Sequence, residues 1–135
     1  MTGEFDLGTL FASMSPVLHD DTFVFVTLPP DDMPATLPPA RMVFQEAEGT
    51  TLILTQIQAQ TAGLAAEFPC RMITLNVHSA LDAVGFIARI ATRLAALDMG
   101  VNPVAGFYHD HLFVPLGRED DAMAALSEMA ANARN

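Results

Sequence analysis

Apolar residues recur along the chain with two different spacings, and these spacings predict four helices and six strands. Apolar residues three and four positions apart indicate a helix, whereas alternation with polar residues indicates a strand. The predicted helices cover Asp6–Met14, Gln58–Ala66, Leu81–Leu97 and Glu119–Ala131. The predicted strands cover Phe23–Leu28, Arg41–Gln45, Thr51–Thr55, Arg71–Val77, Val104–Tyr108 and His111–Leu116.

The longest predicted helix has a signal at each end. Ser79-Ala80-Leu81-Asp82 has the spacing of a capping box, which marks the start of a helix. Gly100 follows the last turn, where a residue in the left-handed conformation commonly ends a helix. The apolar stripe predicted for this helix consists of Leu81, Val84, Ile87, Ala88, Ala91, Leu94 and Ala95.

The order of elements predicts the fold class. From Arg71 onward the order is β-α-β-β-α, the body of a ferredoxin-like βαββαβ unit. The order from Phe23 is similar, but a proline-rich loop, Pro29–Pro39, replaces the long helix, because prolines fit neither a helix interior nor a central strand. We therefore predict an α+β fold with antiparallel sheets, helices packed on one face, and two similar units at residues 1–68 and 69–135.

Three of the predicted strands carry apolar residues at consecutive positions, namely Phe23–Val26, Leu52–Leu54 and Leu112–Val114. A sheet with one wet face would alternate, so both faces of these strands are expected to be buried. Helices can cover one face, and the other requires the second unit or a second subunit. Since 51% of the residues are apolar, a high share for a soluble protein, we predict a homodimer.

The charge of the chain excludes several classes of partner and of chemistry. The 135 residues include six arginines, no lysine and sixteen acidic residues, which gives a net charge of -10. Such a chain repels nucleic acids and anionic membranes, because both require cationic contacts. Without lysine, neither Schiff-base chemistry nor a phosphate-binding loop of the usual kind is available.

The cysteine count and the N-terminal sequence indicate the compartment. Cys70 is the only cysteine, so neither a disulfide nor a thiolate metal cluster can form within the chain, and we expect a small buried residue in a strand. The first residues are acidic where a secretory signal is basic. No run of about 20 apolar residues offers a membrane span. The sequence predicts a soluble, cytoplasmic protein.

Three segments of the sequence resemble the ACT-domain family. They are ITLNVHSALDAVGF from Ile73, GVNPVAGFYHDHLFVP from Gly100, and FQEAEGTTLIL from Phe44. The resemblance covers residues 7–130 and extends to a bacterial branch of small stand-alone proteins with two ACT-like units, long classed as of unknown function. It implies two tandem ACT-like units with the ferredoxin-like fold inferred above.

The same resemblance implies a binding site. Family members bind small ligands, often amino acids, at interfaces between ACT units, and we expect no cofactor. The ligand contacts the loop from the first strand to the first helix and a strand of the neighbouring unit. Transferred to this sequence, the implied contact residues are Asn76, His78, Ser79, Ala80, Leu81, Gly85, Val101 and Asn102.

The junction at Ser79 also has a physical reason to bind a ligand. A helix N-terminus offers unpaired N–H groups and the positive end of a dipole, which favour a carboxylate such as that of an amino acid. Gly85 permits a close approach near the first turn. The alternative is a plain helix cap, in which Ser79 and Asp82 occupy the same N–H groups and Asp82 repels an anion.

A second polar cluster, His109-Asp110-His111, lies at the predicted hairpin turn. His109 and His111 are two positions apart, so on a strand both could reach one metal ion, but no third ligand is evident nearby. Contact with a ligand or partner and an ordinary polar turn are the alternatives. We predict no metal site.

Other polar positions also have two interpretations. Glu46 and Glu48 are either an acid–base pair or a solvated hairpin end. Arg71 either anchors a carboxylate through a bidentate contact or makes a salt bridge. Asn102, which Pro103 holds extended, could donate to the carboxylate of a ligand.

The sequence does not favour an enzyme. His78 and Ser79 would point to opposite faces of a strand, so they cannot act with Asp110 as a hydrolytic set, and a nucleophile-elbow motif is missing. We predict a non-catalytic regulatory module that binds a small molecule, an amino acid according to the resemblance. The alternatives are a structural or protein-interaction module with a closed pocket and, less favoured, a metal-dependent enzyme that uses His109 and His111.

Overall fold

The computed structural model describes residues 3–135 and contains four helices and six strands within that range. The helices are α1 (Leu7–Ser13), α2 (Gln56–Thr61), α3 (Phe86–Ala95) and α4 (Glu119–Arg134). The strands are β1 (Val17–Leu28), β2 (Met42–Gln45), β3 (Thr50–Thr55), β4 (Glu67–Thr74), β5 (Asn102–Ala105) and β6 (Asp110–Pro115). The predicted number and order of elements are confirmed.

The chain forms two compact units. Unit 1 combines the segment that ends at Asp20 with Arg71–Asn135, and unit 2 is Asp21–Cys70. The chain passes from one unit to the other within β1 and again within β4. These compact units are defined by contacts, whereas the units predicted at residues 1–68 and 69–135 are repeats of the element order. The boundary between those repeats stays a prediction.

In unit 2, β3 pairs on its two sides with β1 and β2. Phe23–Leu28 pair in antiparallel register with Thr50–Thr55, and Met42–Gln45 pair with Thr50–Ile53. The core of this unit consists of Val24, Val26, Leu28, Leu52, Leu54 and Ala59. Leu37, from the proline-rich loop that forms neither helix nor strand, packs against this core. The loop thus contributes apolar contacts where the sequence has no long helix.

Helix α2 begins earlier than its apolar pattern predicted. Thr55 accepts a hydrogen bond from the Gln58 backbone N–H, and the Gln58 side chain accepts one from the Thr55 N–H, so the two form a capping box. The helix ends at Thr61, before Gly63, which has a φ of 68°. The prediction that residues 62–66 are helical was wrong, since the glycine ends the helix in the left-handed conformation.

In unit 1, β6 lies between β4 and β5, and three helices surround the core. β5 pairs with β6 in antiparallel register, with Asn102 opposite Phe113 and Ala105 opposite Asp110. Helices α1, α3 and α4 contact one another. Their buried side chains and those of the strands form one core, which includes Leu10, Phe11, Ile73, Leu75, Phe86, Ile90, Leu94, Leu112, Val114 and Leu126. The predicted α+β, ferredoxin-like architecture is confirmed.

Local details of the helices and strands agree with the apolar spacings. Asp6, which was predicted to lie within the first helix, instead caps α1 by accepting a hydrogen bond from the Thr9 backbone N–H at 2.9 Å. In α4 the side chains of Leu126 and Ala130, four positions apart, are buried. The consecutive apolar positions of β1, β3 and β6 are buried or half-buried, so both faces of these strands are covered.

The start of the long helix was predicted incorrectly. Helix α3 begins at Phe86, and the preceding Gly85 has a φ of 94°, a left-handed conformation that glycine adopts readily. Residues 80–85 form turns instead of a first helical turn. Ser79 forms a short β-bridge with Glu4. The Glu4 N–H donates a hydrogen bond to the His78 carbonyl, and the Ala80 N–H donates one to the Glu4 carbonyl. The predicted capping box at Ser79 is therefore wrong.

The buried face of α3 differs from the predicted stripe for the same reason. Phe86, Ile90 and Leu94, spaced four residues apart, are fully buried. Leu81 and Val84 precede the helix and are 57% and 84% exposed. The prediction gave equal importance to alanines, whereas the larger side chains determine which face is buried, because they remove more apolar area from water.

The bounds of several strands were also predicted incorrectly, and β1 begins at Val17 instead of Phe23. Strand β4 ends at Thr74 rather than at residue 77, and Asn76 has a φ of 54°, which an extended strand does not allow. The hairpin between β5 and β6 turns at Phe107 and Tyr108, where the Gly106 N–H donates to the His109 carbonyl. The predicted turn at His109 and Asp110 was two residues too late, so Asp110 belongs to a strand.

Candidate functional site

A cavity of about 250 Å³ lies in unit 1, where the segment after β4 meets the start of α3 and the β5–β6 hairpin. It is lined by Ser79, Ala80, Leu81, Ala83, Gly85, Phe86, Ile87, Ala88, Ala105 and Asp110. Leu81, Ala88 and Ala105 are exposed, so the cavity opens to solvent. Its volume lies below the range of about 300–1,000 Å³ that is usual for drug-sized ligands, so only a small molecule fits.

Backbone contacts hold the wall of this cavity in place. The bridge between Glu4 and Ser79 consists of two backbone hydrogen bonds of 2.9 Å. They join Glu4 to His78 and to Ala80, the two residues that flank Ser79. Gly3 permits this approach, because a Cβ there would lie 2.7 Å from the Ala80 nitrogen. The segment between β4 and α3 is thus held by main-chain contacts rather than by a large side chain, and the space beside it remains open.

A carboxylate and a hydroxyl group meet at one side of the cavity. The Ser79 hydroxyl donates to Asp110 Oδ2 at 2.9 Å. Asp110 is 8% exposed. Its backbone carbonyl accepts a hydrogen bond from the N–H of Leu75, the residue after β4, at 3.0 Å. This bond fixes the start of β6 beside the end of β4. Among the described residues that line the cavity, Asp110 is the one with an ionisable side chain.

The N-terminus of α3 also lines the cavity. Gly85 occupies the cap position, and no side chain within residues 3–135 caps this helix. The first N–H groups of a helix have no partner within the helix, and here Phe86, Ile87 and Ala88 are those residues. All three line the cavity. The lining therefore combines the N-terminus of α3, which is the positive end of the helix dipole, with the Asp110 carboxylate.

The structure brings together four of the eight ligand-contact residues implied by the sequence. Ser79, Ala80, Leu81 and Gly85 line the cavity, whereas Asn76, His78, Val101 and Asn102 do not. The last two stand at the beginning of β5, where Asn102 is exposed and pairs with Phe113. The role of all eight in ligand binding stays a prediction.

His78 contacts the tip of the hairpin instead of the cavity. Its ring centroid lies 5.5 Å from that of Tyr108 and 6.4 Å from that of Phe107. The side chains of Phe107 and Tyr108 are 62% and 65% exposed. These three rings form an exposed aromatic surface in unit 1, which we call the aromatic tip.

Sequence reasoning identified Asp110 but not its place in the cavity. It was assigned to a polar turn together with His109 and His111. The signal that could have placed it is alternation, because Asp110, Leu112 and Val114 are two positions apart and therefore share a face of β6. Leu112 and Val114 belong to the core of unit 1, so Asp110 faces inward at the end of a buried row.

The two histidines beside Asp110 do not act as a pair. His109 lies in the hairpin loop, and its buried Nδ1 has no hydrogen-bond partner among the described residues. His111 lies on β6, where its Nδ1 is 2.9 Å from the Thr74 hydroxyl, which is also 2.7 Å from His19 Nε2. No group of three His, Cys, Asp or Glu side chains within residues 3–135 comes together to hold a metal ion.

The remaining polar positions have structural roles in the described part of the chain. Arg71 donates twice to the His19 carbonyl, at 2.9 and 2.7 Å, and forms a salt bridge with Glu119 at 3.1 Å. Glu46 accepts a hydrogen bond from the Thr51 hydroxyl at the β2–β3 turn. Cys70 is fully buried, and burial raises the pKa of its thiol to about 12, so it stays protonated and unreactive at neutral pH.

Unit 2 contains a second cavity of about 440 Å³ beside the proline-rich loop. It is lined by Thr27, Leu28, Pro29, Asp32, Met33, Pro34, Thr36, Pro38, Ala62 and Leu64. No helix within residues 3–135 is both long and apolar enough to cross a bilayer.

Both halves of the sequence are similar to known proteins. Two family models match the sequence, and each describes an ACT domain, over residues 2–71 and residues 67–128. No curated protein matches it. A Vibrio cholerae protein of unknown function, described as a possible transport protein, is 40% identical, and the match covers 92% of this chain and 95% of that chain with a TM-score of 0.78.

Two more distant structures share the fold alone. A protein from Agrobacterium tumefaciens is 13% identical, and the match covers 87% of this chain and 89% of that chain with a TM-score of 0.71. The ligand-free regulatory subunit of aspartate kinase from Thermus thermophilus is 11% identical, with a TM-score of 0.62 over 87% of this chain and 99% of that chain.

Proposed function

We propose that this chain, which belongs to the ACT-domain family, is a non-catalytic regulatory module that binds an amino acid in the cavity beside Ser79. ACT domains are regulatory modules that generally bind small molecules. The Thermus thermophilus structure with a similar fold is itself the regulatory subunit of an aspartate kinase. Which process this chain regulates would follow from the identity of its ligand.

The observation that carries this proposal is the open cavity, whose lining combines Ser79, Asp110 and the start of α3. If the segment after β4 served packing alone, large side chains would fill the space beside Ser79 and Gly85. Instead, the space stays open, because five of the ten lining residues are alanine or glycine. The other five are Ser79, Leu81, Phe86, Ile87 and Asp110. The free N–H groups at the start of α3 are suited to the carboxylate of an amino acid.

We also propose that the protein acts as a homodimer in the cytoplasm. ACT domains often dimerise. The family resemblance also implies a ligand site between ACT units. Val101 and Asn102 would then reach the ligand from a second copy, and Asn76 and His78 would complete the loop beside it. Sedimentation equilibrium measures the mass of the assembly, and a mass equal to one chain at all concentrations would contradict a dimer.

Filling the cavity is expected to abolish ligand binding without unfolding the protein. Ala88→Trp places a large side chain at an exposed position of α3 that lines the cavity, whereas Ala95→Trp makes the same change at an exposed position of α3 outside it. Thermal-shift measurements with each of the twenty amino acids test this. A ligand present at ~100 times its Kd stabilises the folded state by about 2.7 kcal/mol.

We expect at least one amino acid to stabilise both the wild type and Ala95→Trp, and to leave Ala88→Trp unchanged. The unliganded melting temperatures of the three proteins report whether the substitutions alone disturb the fold. If none of the twenty amino acids shifts the wild-type melting temperature at millimolar concentration, the proposed function is wrong.

A structural or protein-interaction module is the second candidate, and the aromatic tip favours it. Phe107 and Tyr108 are largely exposed although aromatic residues are usually buried, and such residues are enriched in protein interfaces. An exposed aromatic surface of this kind often marks a binding site for another protein. The amino-acid screen separates the candidates, because an interaction module with no ligand would not respond to it.

A further inference from the structure

We infer that Asp110 selects the ligand by pairing with its ammonium group, and that the ligand is a small amino acid with an apolar side chain. This inference rests on the proposed function, because it requires the cavity beside Ser79 to be the binding site. It adds a residue outside the loop that the family resemblance implied, and it narrows the class of ligand.

The Asp110 carboxylate can accept more hydrogen bonds than the described residues donate to it. An ionised carboxylate has two oxygens and can accept about four hydrogen bonds. Within the described residues, its carboxylate accepts one, from the Ser79 hydroxyl. Asp110 is 8% exposed as a residue and forms no salt bridge within residues 3–135, but its second oxygen is not a buried atom without a partner, so water can reach it when no ligand is bound. A cationic ligand group would replace this water and supply the missing opposite charge. An ammonium group supplies three N–H donors and the opposite charge.

The rest of the lining contains no competing cation. The described lining residues other than Asp110 are uncharged, and the chain has no lysine. Arg89 lies one residue beyond the α3 positions that line the cavity and is exposed. A ligand that carries a carboxylate but no amine would therefore leave the Asp110 carboxylate without a cationic partner. The two negative charges, on the ligand and on Asp110, would repel each other in this partly buried site.

The walls determine which side chain fits beside the ammonium group. Ala80, Ala83, Ala88, Ala105 and Ile87 present apolar surface, and the cavity of about 250 Å³ is small. A polar or charged side chain that packs against these apolar residues, and not towards the open side of the cavity, would lose hydrogen bonds with water and gain none from them. The side chains of alanine and valine are both small and apolar, whereas those of aspartate, lysine and arginine are charged.

The test compares analogues on the unmodified protein, so it does not depend on a variant that folds. L-alanine, L-valine, 3-methylbutanoate (valine without its amine) and isobutylamine (valine without its carboxylate) are titrated by isothermal calorimetry. We expect L-alanine or L-valine to bind, and 3-methylbutanoate to bind at least about tenfold more weakly than L-valine, because the buried carboxylate loses its charged partner. Isobutylamine is expected to bind more tightly than 3-methylbutanoate.

Two matched variants locate the effect. Asp110→Asn removes the charge in the cavity and is expected to weaken binding of L-valine at least about tenfold. Asp82→Asn removes one charge from the segment between β4 and α3, at an exposed position that does not line the cavity, and is expected to leave the affinity within about twofold. Circular dichroism of each variant confirms that it is folded.

Several results would overturn the inference. Equal binding of 3-methylbutanoate and L-valine would show that no ammonium group is recognised, while the cavity could still be the site that Ala88→Trp blocks. Tighter binding of a charged amino acid than of L-alanine and L-valine would contradict the size and polarity of the ligand. If no amino acid binds at all, the proposed function fails as well, so the two failures are distinguishable.

Discussion

Replacing Phe86 by alanine is expected to lower the free energy of unfolding by about 3–5 kcal/mol, the range usual for removing a buried aromatic ring. Phe86 is 2% exposed, and its ring centroid lies 5.0 Å from that of Phe11. The substitution removes apolar contacts between α1 and the first turn of α3, and it leaves a void that the surrounding core of unit 1 cannot fill completely.

Val84→Ala provides the matched control for this substitution. Val84 lies two residues earlier, is 84% exposed, and was assigned by periodicity to the buried stripe of the helix. Its replacement is expected to change the free energy of unfolding by less than about 0.5 kcal/mol. Urea denaturation followed by circular dichroism measures both. If Val84→Ala lowered the free energy of unfolding as much as Phe86→Ala does, the helix would have to begin near Leu81, which contradicts the structure.

Replacing Arg71 by alanine is expected to lower the free energy of unfolding by about 2–3 kcal/mol, in the range for a hydrogen-bonded charge that is mostly buried. Its guanidinium group donates to the His19 carbonyl and to Glu119, and its side chain is 16% exposed. Removal leaves a carbonyl and a carboxylate without their charged donor. The binding of L-valine is expected to be unchanged, because Arg71 does not line the cavity.

Arg93→Ala is the control for this second substitution. Arg93 forms a salt bridge with Glu128 at 3.6 Å, but the two side chains are 33% and 62% exposed. Exposed ion pairs contribute less than about 1 kcal/mol, and salt screens them further. A weaker affinity for the ligand in Arg71→Ala, with Arg93→Ala unaffected, would show that Arg71 anchors the carboxylate of the ligand and would contradict its purely structural role.

Much of the fold could be predicted from the sequence because its signals are local. The first helix has both an apolar spacing and a capping residue, Asp6, and α4 has an acidic first turn that suits the helix dipole. The hairpins are marked by apolar runs separated by polar or glycine residues. Each of these features involves neighbours in the chain, so periodicity and turn chemistry were sufficient.

The errors have a different physical origin. Ser79 has the sequence of a helix cap, but its backbone is held by Glu4 and its hydroxyl donates to Asp110, 31 residues later in the chain. Such contacts between distant parts of the sequence override a local preference. The helix then starts after Gly85, and the residues counted as its first turn become the wall of the cavity. The incorrect helix start and the missed role of Asp110 thus have one cause.

The candidate site was therefore predictable in part. Ser79 and Gly85 were selected from the helix junction and the family resemblance, and both line the cavity. The alanines of α3 and β5 carry no chemical signal in a sequence, because small apolar residues are common in any core. Their importance here is that they leave space, and space becomes apparent only when the elements around it are assembled.

The most direct test of the account is to locate where an amino acid binds, by nuclear magnetic resonance titration of isotope-labelled protein with L-valine. We predict changes in the amide signals of Ser79, Gly85, Ala88 and Asp110, which surround the cavity in unit 1. Signals beside the second cavity, such as those of Met33 and Leu64, are expected to stay unchanged. Changes confined to the proline-rich loop, or no changes with either L-valine or L-alanine at millimolar concentration, would contradict the account.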